Sequence, residues 1–196
     1  MPRKERQKKR NKRIKVIGIS AGATPNSRSE LLLNSLLDKF LKVGYKISKI
    51  AVRDLKISFC DGFKGCEKTG ICKWHDDMRI IEKGILSSDI IVVSSPIYFT
   101  SLPAKLKAII DRCQVYWIRK YILKDFNFKL KKGLFISVAG GTPDFSHAKA
   151  IIKAFFSVFN IKLVGKYYLP NTDIIKKEEF IKNINEVKKL IKEVVK

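Results

Sequence analysis

Apolar residues recur along this chain at two alternating periods. "RIKVIGIS" (Arg13–Ser20) is a short apolar, β-branched run that ends in small residues, and it reads as a buried strand. "ELLLNSLLDKFLKVG" follows, with Leu32, Leu33, Leu36, Leu37 and Phe40 on one helical stripe and Gly44 at its end. "YKISKIAV" reads as a second strand. "DDMRIIEKGILSSD" reads as a short helix that Asp76 or Asp77 can cap. "DIIVVSSPIYF" has no polar face, as expected of a strand at the centre of a parallel sheet. "SLPAKLKAIIDRCQVYW" predicts one helix with Leu102, Leu106, Ile109, Ile110, Cys113 and Trp117 inward. "GLFISVAGG" and "IKLVGKYYL" read as the fourth and fifth strands, separated by a helix over "DFSHAKAIIKAFFSVFN". The chain closes on a helix with Phe180, Ile184, Val187, Ile191 and Val194 inward.

Strands and helices therefore alternate five times. This predicts an α/β fold: a doubly wound, five-stranded parallel sheet in the order 2-1-3-4-5, with helices on both faces. A chain of 196 residues with 45% hydrophobic residues can bury a core as one domain. Residues 14–196 are read as that domain. No apolar run has the length of a membrane span, and no apolar segment of signal-peptide form follows the charged start, so a cytoplasmic location without membrane contact is expected.

The net charge is +23. The block 1–13, "MPRKERQKKRNKR", holds eight basic residues and one acidic one and is expected to be a disordered, solvating tail. A basic nucleic-acid-binding protein on the same scaffold is the competing class. No interleaving of aromatic and basic residues supports it, so a nucleic-acid partner is not expected.

Ligands of doubly wound sheets bind beyond the carboxyl ends of the strands. The first loop there carries Ser20, Gly22, Thr24, Asn26, Ser27, Arg28 and Ser29 before a helix. Small residues, hydroxyls, one cation and a helix N-terminus suit a phosphate. It is neither the G-x-G-x-x-G nor the G-x-x-x-x-G-K-[ST] pattern, and a plain helix cap on Ser27 stays open. After the third strand, "SPIYFT" (95–100) places Pro96, Ile97, Tyr98, Phe99 and Thr100 where a planar ring would pack, with backbone groups of Ile97 to Thr100 reaching its polar edge. After the fourth, Gly140 and Gly141 permit close approach to such a ring. Phosphate and ring loops at one switch point suggest a mononucleotide, most naturally FMN.

"FCDGFKGCEKTGIC" (59–72) holds Cys60, Cys66 and Cys72, six residues apart. Clusters usually take four thiolates, and structural zinc sites four ligands. The loop follows the second strand at the ligand edge and is expected beside the exposed face of a flavin.

Three segments, "GISAGATPNSRSELLLNSLL", "DGFKGCEKTGICKWHDDM" and "SSPIYFTSLPAKLKAIIDRC", together resemble the flavodoxin-like NADPH-dependent FMN reductase family, and within it the iron–sulfur flavoproteins. The resemblance runs from Ile14 to Tyr168. It implies FMN held by the three loops above, with NAD(P)H or a redox protein as electron donor. It also implies a homodimer or a dimer of dimers, a homotetramer. It implies no protein nucleophile, since the flavin performs the chemistry. Laid over this chain, the family's cluster run of four cysteines falls on Cys60, residue 63, Cys66 and Cys72, and residue 63 is Phe63. An iron–sulfur cluster on three thiolates, with Asp61 or His75 as fourth ligand, stays open beside a cluster-free loop and a redox relay. The expectation leans to the cluster-free loop. Cys113, on an apolar stripe, is read as core.

Overall fold

The computed structural model describes residues 13–195, so the basic block, apart from Arg13, lies outside the described residues. Five parallel strands form one sheet in the order β2-β1-β3-β4-β5, as the alternation predicts. They are β1 (Lys15–Ser20), β2 (Lys46–Ala51), β3 (Ile90–Pro96), β4 (Lys131–Val138) and β5 (Ile161–Leu169). The centre is β3, whose residues 90–95 are all buried, and the edges β2 and β5 are half-exposed. Burial on both faces explains why β3 is written as an unbroken apolar run.

Each face carries a helical layer. On one side lie α1 (Arg28–Lys42), α7 (Lys177–Val187) and α8 (Ile191–Val195), packed through Leu33, Leu37, Phe40, Val187 and Val194. On the other lie α3 (Met78–Ser87), α4 (Ala104–Arg112), α5 (Gln114–Tyr121) and α6 (Ser146–Val158), packed through Ile81, Leu106, Ile109, Ile152 and Phe155. A five-residue helix, α2 (Gly65–Thr69), lies inside the cysteine segment. No helix among the described residues is long and apolar enough to cross a membrane.

Two predicted helices are divided. The segment 101–117 breaks at Cys113, whose N–H is shared between the carbonyls of Ile109 (3.2 Å) and Ile110 (3.1 Å). That slip towards i−3 bonding rotates the following turn. Val115 and Tyr116 therefore face the core, and Trp117 points outward, 40% exposed. The C-terminal helix is interrupted by a 3₁₀ turn at Lys188–Leu190. Asp77 is the N-cap residue of α3 but makes no side-chain cap bond, its carboxylate accepting the Lys56 N–H at 2.7 Å, while Asp76 Oδ1 accepts the Met78 N–H at 3.1 Å.

Candidate functional site

The loops after β1, β3 and β4 meet at the carboxyl edge of the sheet, over a row of buried serines. Ser20 pairs in register with Ser94, and Ser95 with Ser137. Ser94 Oγ donates to the Ser29 carbonyl (2.7 Å) and the Ala21 N–H donates to the Ser94 carbonyl (2.8 Å), fixing the first loop to β3. Ser20 Oγ is buried with no partner among the described residues. A buried hydroxyl left without a bond is uncommon, and such an atom takes its bond from a water, an ion or a ligand group.

The loop enters α1 without capping it. Ser27 is the N-cap residue but makes no side-chain cap bond. Its Oγ lies instead 3.2 Å from Ser29 Oγ. The simple cap on Ser27 is thus not what is built, and the first-turn amides keep their positive end open. Gly22 packs against this pair, and a Cβ on it would lie 2.1 Å from Ser27 Oγ. Ser20, Gly22, Ser27 and Ser29 are brought together. Thr24 and Asn26 shape the bend, Asn26 with a φ of 57°. Arg28 departs from expectation: its guanidinium lies over the Phe180 ring of α7, 5.7 Å from the centroid, with Nη1 buried and unpartnered.

Glu30, only 2% exposed, organises this loop from below. Its carboxylate accepts the Asn26 N–H (2.9 Å), Arg53 Nη1 (2.9 Å) and Lys49 Nζ (3.0 Å). Burial pushes the Glu30 carboxyl up, and the bonds from Arg53, Lys49 and Asn26 outweigh it and hold the group below its ordinary value. Arg53 also donates to the Thr24 carbonyl at 3.5 Å. Sequence reasoning missed this cluster. The S-x-x-E spacing of Ser27 and Glu30 is the signature that could have found the acid. Nothing in the sequence pairs it with two cations from the β2 region.

At the second loop, Tyr98 and Phe99 stand exposed as expected. Phe99 (φ 47°) and Thr100 (φ 61°) are both left-handed, and for a β-branched threonine that is strained. The Ile97 N–H is taken by the Val138 carbonyl (2.8 Å) and the Tyr98 N–H by the Ser101 carbonyl (2.9 Å). Of the stretch Ile97 to Thr100, the Phe99 and Thr100 amides are therefore the ones able to reach a ligand. At the third loop, Gly141 faces open space. Gly140 does not: a Cβ there would lie 2.3 Å from the Asp173 carboxylate, so its missing side chain makes room for Asp173. Asn171 and Thr172 donate to the carbonyls of Gly141 and Ala139, both at 2.8 Å, locking this loop to the β5–α7 connection. That contact was not legible from the sequence.

The cysteine segment packs over α5 and the C-terminal end of α4. Arg112 of α4, 3% exposed, anchors it through the Ser58 carbonyl (3.0 Å), the Trp74 carbonyl (3.3 Å) and the Asp76 carboxylate (2.8 Å). Cys60, Cys66 and Cys72 line one cleft of about 460 Å³ with Phe63, Trp74, Arg112 and Trp117. None of the expected cofactor residues lines this cleft. The residues do not fit a four-thiolate cluster. Phe63 occupies the fourth position, with its ring over Gly65. Asp61 is paired with Lys73, and His75 Nδ1 lies 2.8 Å from Arg79, so both expected substitutes are engaged. Among the described residues no three His, Cys, Asp or Glu side chains are grouped to hold a metal ion. Cys113 is buried in the core, as expected.

Comparison with known proteins agrees with this architecture. An iron–sulfur flavoprotein of Methanocaldococcus jannaschii is 33% identical over 99 residues, covering 50% of this chain and 51% of the relative. One from Archaeoglobus fulgidus is 27% identical over 103 residues, 53% of this chain and 47% of the relative. The chain thus spans about half the length of these curated relatives. Among solved structures, an NAD(P)H:quinone oxidoreductase from Methanothermobacter marburgensis superposes with a TM-score of 0.68 at 16% identity, over 94% of this chain and 98% of that one. At that identity the likeness speaks for the fold alone. The NADPH-dependent FMN reductase family matches residues 14–173, and the chain belongs to that family.

Proposed function

We propose that this chain is an FMN-dependent oxidoreductase that takes electrons from NAD(P)H, with a redox protein as the other donor class. The single observation that carries this is the open first turn of α1 beside the unpartnered Ser20 hydroxyl and the Gly22 cradle. These features suit a phosphomonoester held by amides and hydroxyls. Ser20, Gly22, Thr24, Asn26, Ser27 and Ser29 would hold the phosphate. Arg28 contributes only if its guanidinium leaves Phe180. Pro96, Ile97, Tyr98, Phe99 and Thr100 would border the ring, with Gly141 on the open side and Gly140 seating Asp173.

Bound FMN supplies hydride and single-electron chemistry. This chain's part is placement and electrostatics. The Phe99 and Thr100 amides offer donors at the ring's polar edge. The +23 charge favours a phosphorylated nicotinamide or an acidic electron carrier. The exposed Tyr98 and Phe99 suit a subunit contact, so we assign a homodimer or homotetramer.

Fluorescence titration with FMN tests the assignment. Micromolar or tighter binding is expected, and the double variant Ser27→Ala, Ser29→Ala should weaken it about tenfold or more, since each hydroxyl bond to a charged phosphate contributes ~1.5–3 kcal/mol. Anaerobic NADPH should then bleach the flavin band. Unchanged affinity in the double variant would remove this loop from the site, and no FMN binding by the natural chain would remove the function.

A further inference from the structure

A groove of about 620 Å³ lies between the C-terminal turn of α1 and α8. Val43, Tyr45, Ile191 and Val195 line it, with Lys39 and Lys192 as its charged residues. Val43 is 49% and Val195 64% exposed, so aliphatic surface stands in water here. The groove is at the amino edge of the sheet, because Tyr45 precedes Lys46, which pairs in register with Lys15 at the start of β1. Ser20 and the phosphate loop are at the other end of β1, roughly 17 Å away at ~3.4 Å per residue.

The charge around the groove has one sign. Lys39, Lys42, Lys46 and Lys192 are all exposed, and their ammonium groups make no hydrogen bond or ion pair among the described residues. No carboxylate among the described residues lines the groove. Asp38 is exposed one position before Lys39. Glu193 is half-buried and turned to β5, its Cγ 3.2 Å from where a Cβ on Gly165 would lie. Asp89, at the same edge of the sheet, accepts the Lys15 N–H at 2.9 Å. The chain also enters the fold here. The Ile14 carbonyl accepts the Lys46 N–H at 2.9 Å, so the basic block 1–13 joins the fold beside Tyr45 and adds charge of the same sign.

We propose that this groove and its lysines dock the chain on the surface of an anionic lipid bilayer. The ammonium groups hold headgroup phosphates, and Val43 and Val195 enter the boundary between headgroups and acyl chains. Other occupants match less of the surface. A second copy in a two-fold contact would set the four lysines against their own equivalents. The basic block is repelled by the same lysines. A nucleic acid would use the cations but leave the aliphatic side chains unmatched. Its bases stack on aromatic faces, and the Tyr45 ring is already stacked on Phe40 at 5.4 Å. No described helix is long and apolar enough to cross a membrane, and a surface contact requires none. It departs from the expectation of no membrane contact. Docked this way, the loops after β1, β3 and β4 face the aqueous side.

Flotation of the full chain with lipid vesicles tests this. At about 0.1 M salt, where screening acts beyond ~10 Å, binding to mixed phosphatidylglycerol–phosphatidylcholine vesicles is expected, with none to phosphatidylcholine alone. A lysine near an anionic leaflet contributes about fivefold to partitioning, so Lys39→Gln with Lys192→Gln should weaken binding roughly twentyfold. Val43→Ser with Val195→Ser leaves the net charge at +23 and should weaken it about fivefold or more, because less apolar area enters the interface. Binding undiminished by the valine changes would reduce the contact to bare charge and overturn the proposal. So would equal binding to neutral vesicles, tighter binding to a short DNA duplex than to the anionic vesicles, or a dimer that the valine changes dissolve. FMN affinity is read at the opposite edge of the sheet, so failure here leaves the flavin assignment standing.

Discussion

The Arg112 guanidinium and the Asp76 carboxylate form a buried ion pair, Nη1 to Oδ2 at 2.8 Å, that joins α4 to the start of α3 and pins both ends of the cysteine segment. Burial works against the Asp76 charge, but the Arg112 bond, with the amides of Ser58 and Met78, holds the group at about 2 against an ordinary value of 3.8. A depressed carboxylate stabilises the fold above its unfolded value and loses that contribution as the pH falls. Stability should therefore drop between pH 3.8 and about 2 by an amount on the order of 2 kcal/mol. Asp76→Ala should cost about 3–5 kcal/mol at neutral pH, because it leaves a buried guanidinium uncompensated. Denaturant unfolding at several pH values measures both effects, and a variant as stable as the natural chain would show that water already solvates Arg112.

Arg53 contributes to the phosphate loop without belonging to it. Its bonds to Glu30 (2.9 and 3.2 Å) and to the Thr24 carbonyl neutralise an acid buried beneath the proposed phosphate. Arg53→Ala should leave Glu30 under-compensated and weaken FMN binding at least about tenfold, or ~1.4 kcal/mol. Glu30→Gln in the same chain should restore part of it. FMN titration of the single and double variants decides, and equal losses in both would sever Glu30 from the effect.

Thr100 sits at a φ of 61°, where a β-branched residue is strained. Thr100→Gly should raise stability by about 1 kcal/mol, since glycine adopts that region without a Cβ clash. Thermal melting tests this in the flavin-free protein. An unchanged or lower melting temperature would mean that glycine's greater unfolded freedom offsets the relieved strain.

The family resemblance puts Phe63 where a fourth thiolate would stand. Its ring covers Gly65 and carries Lys73 above it. Phe63→Cys should raise iron uptake on anaerobic reconstitution towards about four irons per chain, with the natural chain clearly below it. Equal iron in both would show that another residue already serves as the fourth ligand.

What the sequence determined by itself follows from periodicity. The unbroken apolar run at β3, the helical stripe of α1 and the alternation of elements fix a parallel sheet and its order, because burial on two faces and right-handed crossovers leave few arrangements. The same order puts residues 20–29, 96–100 and 140–141 at one edge. Tertiary structure decided which atoms those loops present. Arg28 and Arg53 are equally basic in sequence, yet packing turns the first over Phe180 and the second onto Glu30. Gly140 and Gly141 are adjacent and identical, yet one seats Asp173 and the other faces open space. The cysteine segment begins near the ligand edge but is drawn over α4 and α5, because a buried guanidinium requires the carbonyls and carboxylate that segment carries. Such choices depend on partners far apart in the chain, and local pattern does not encode them.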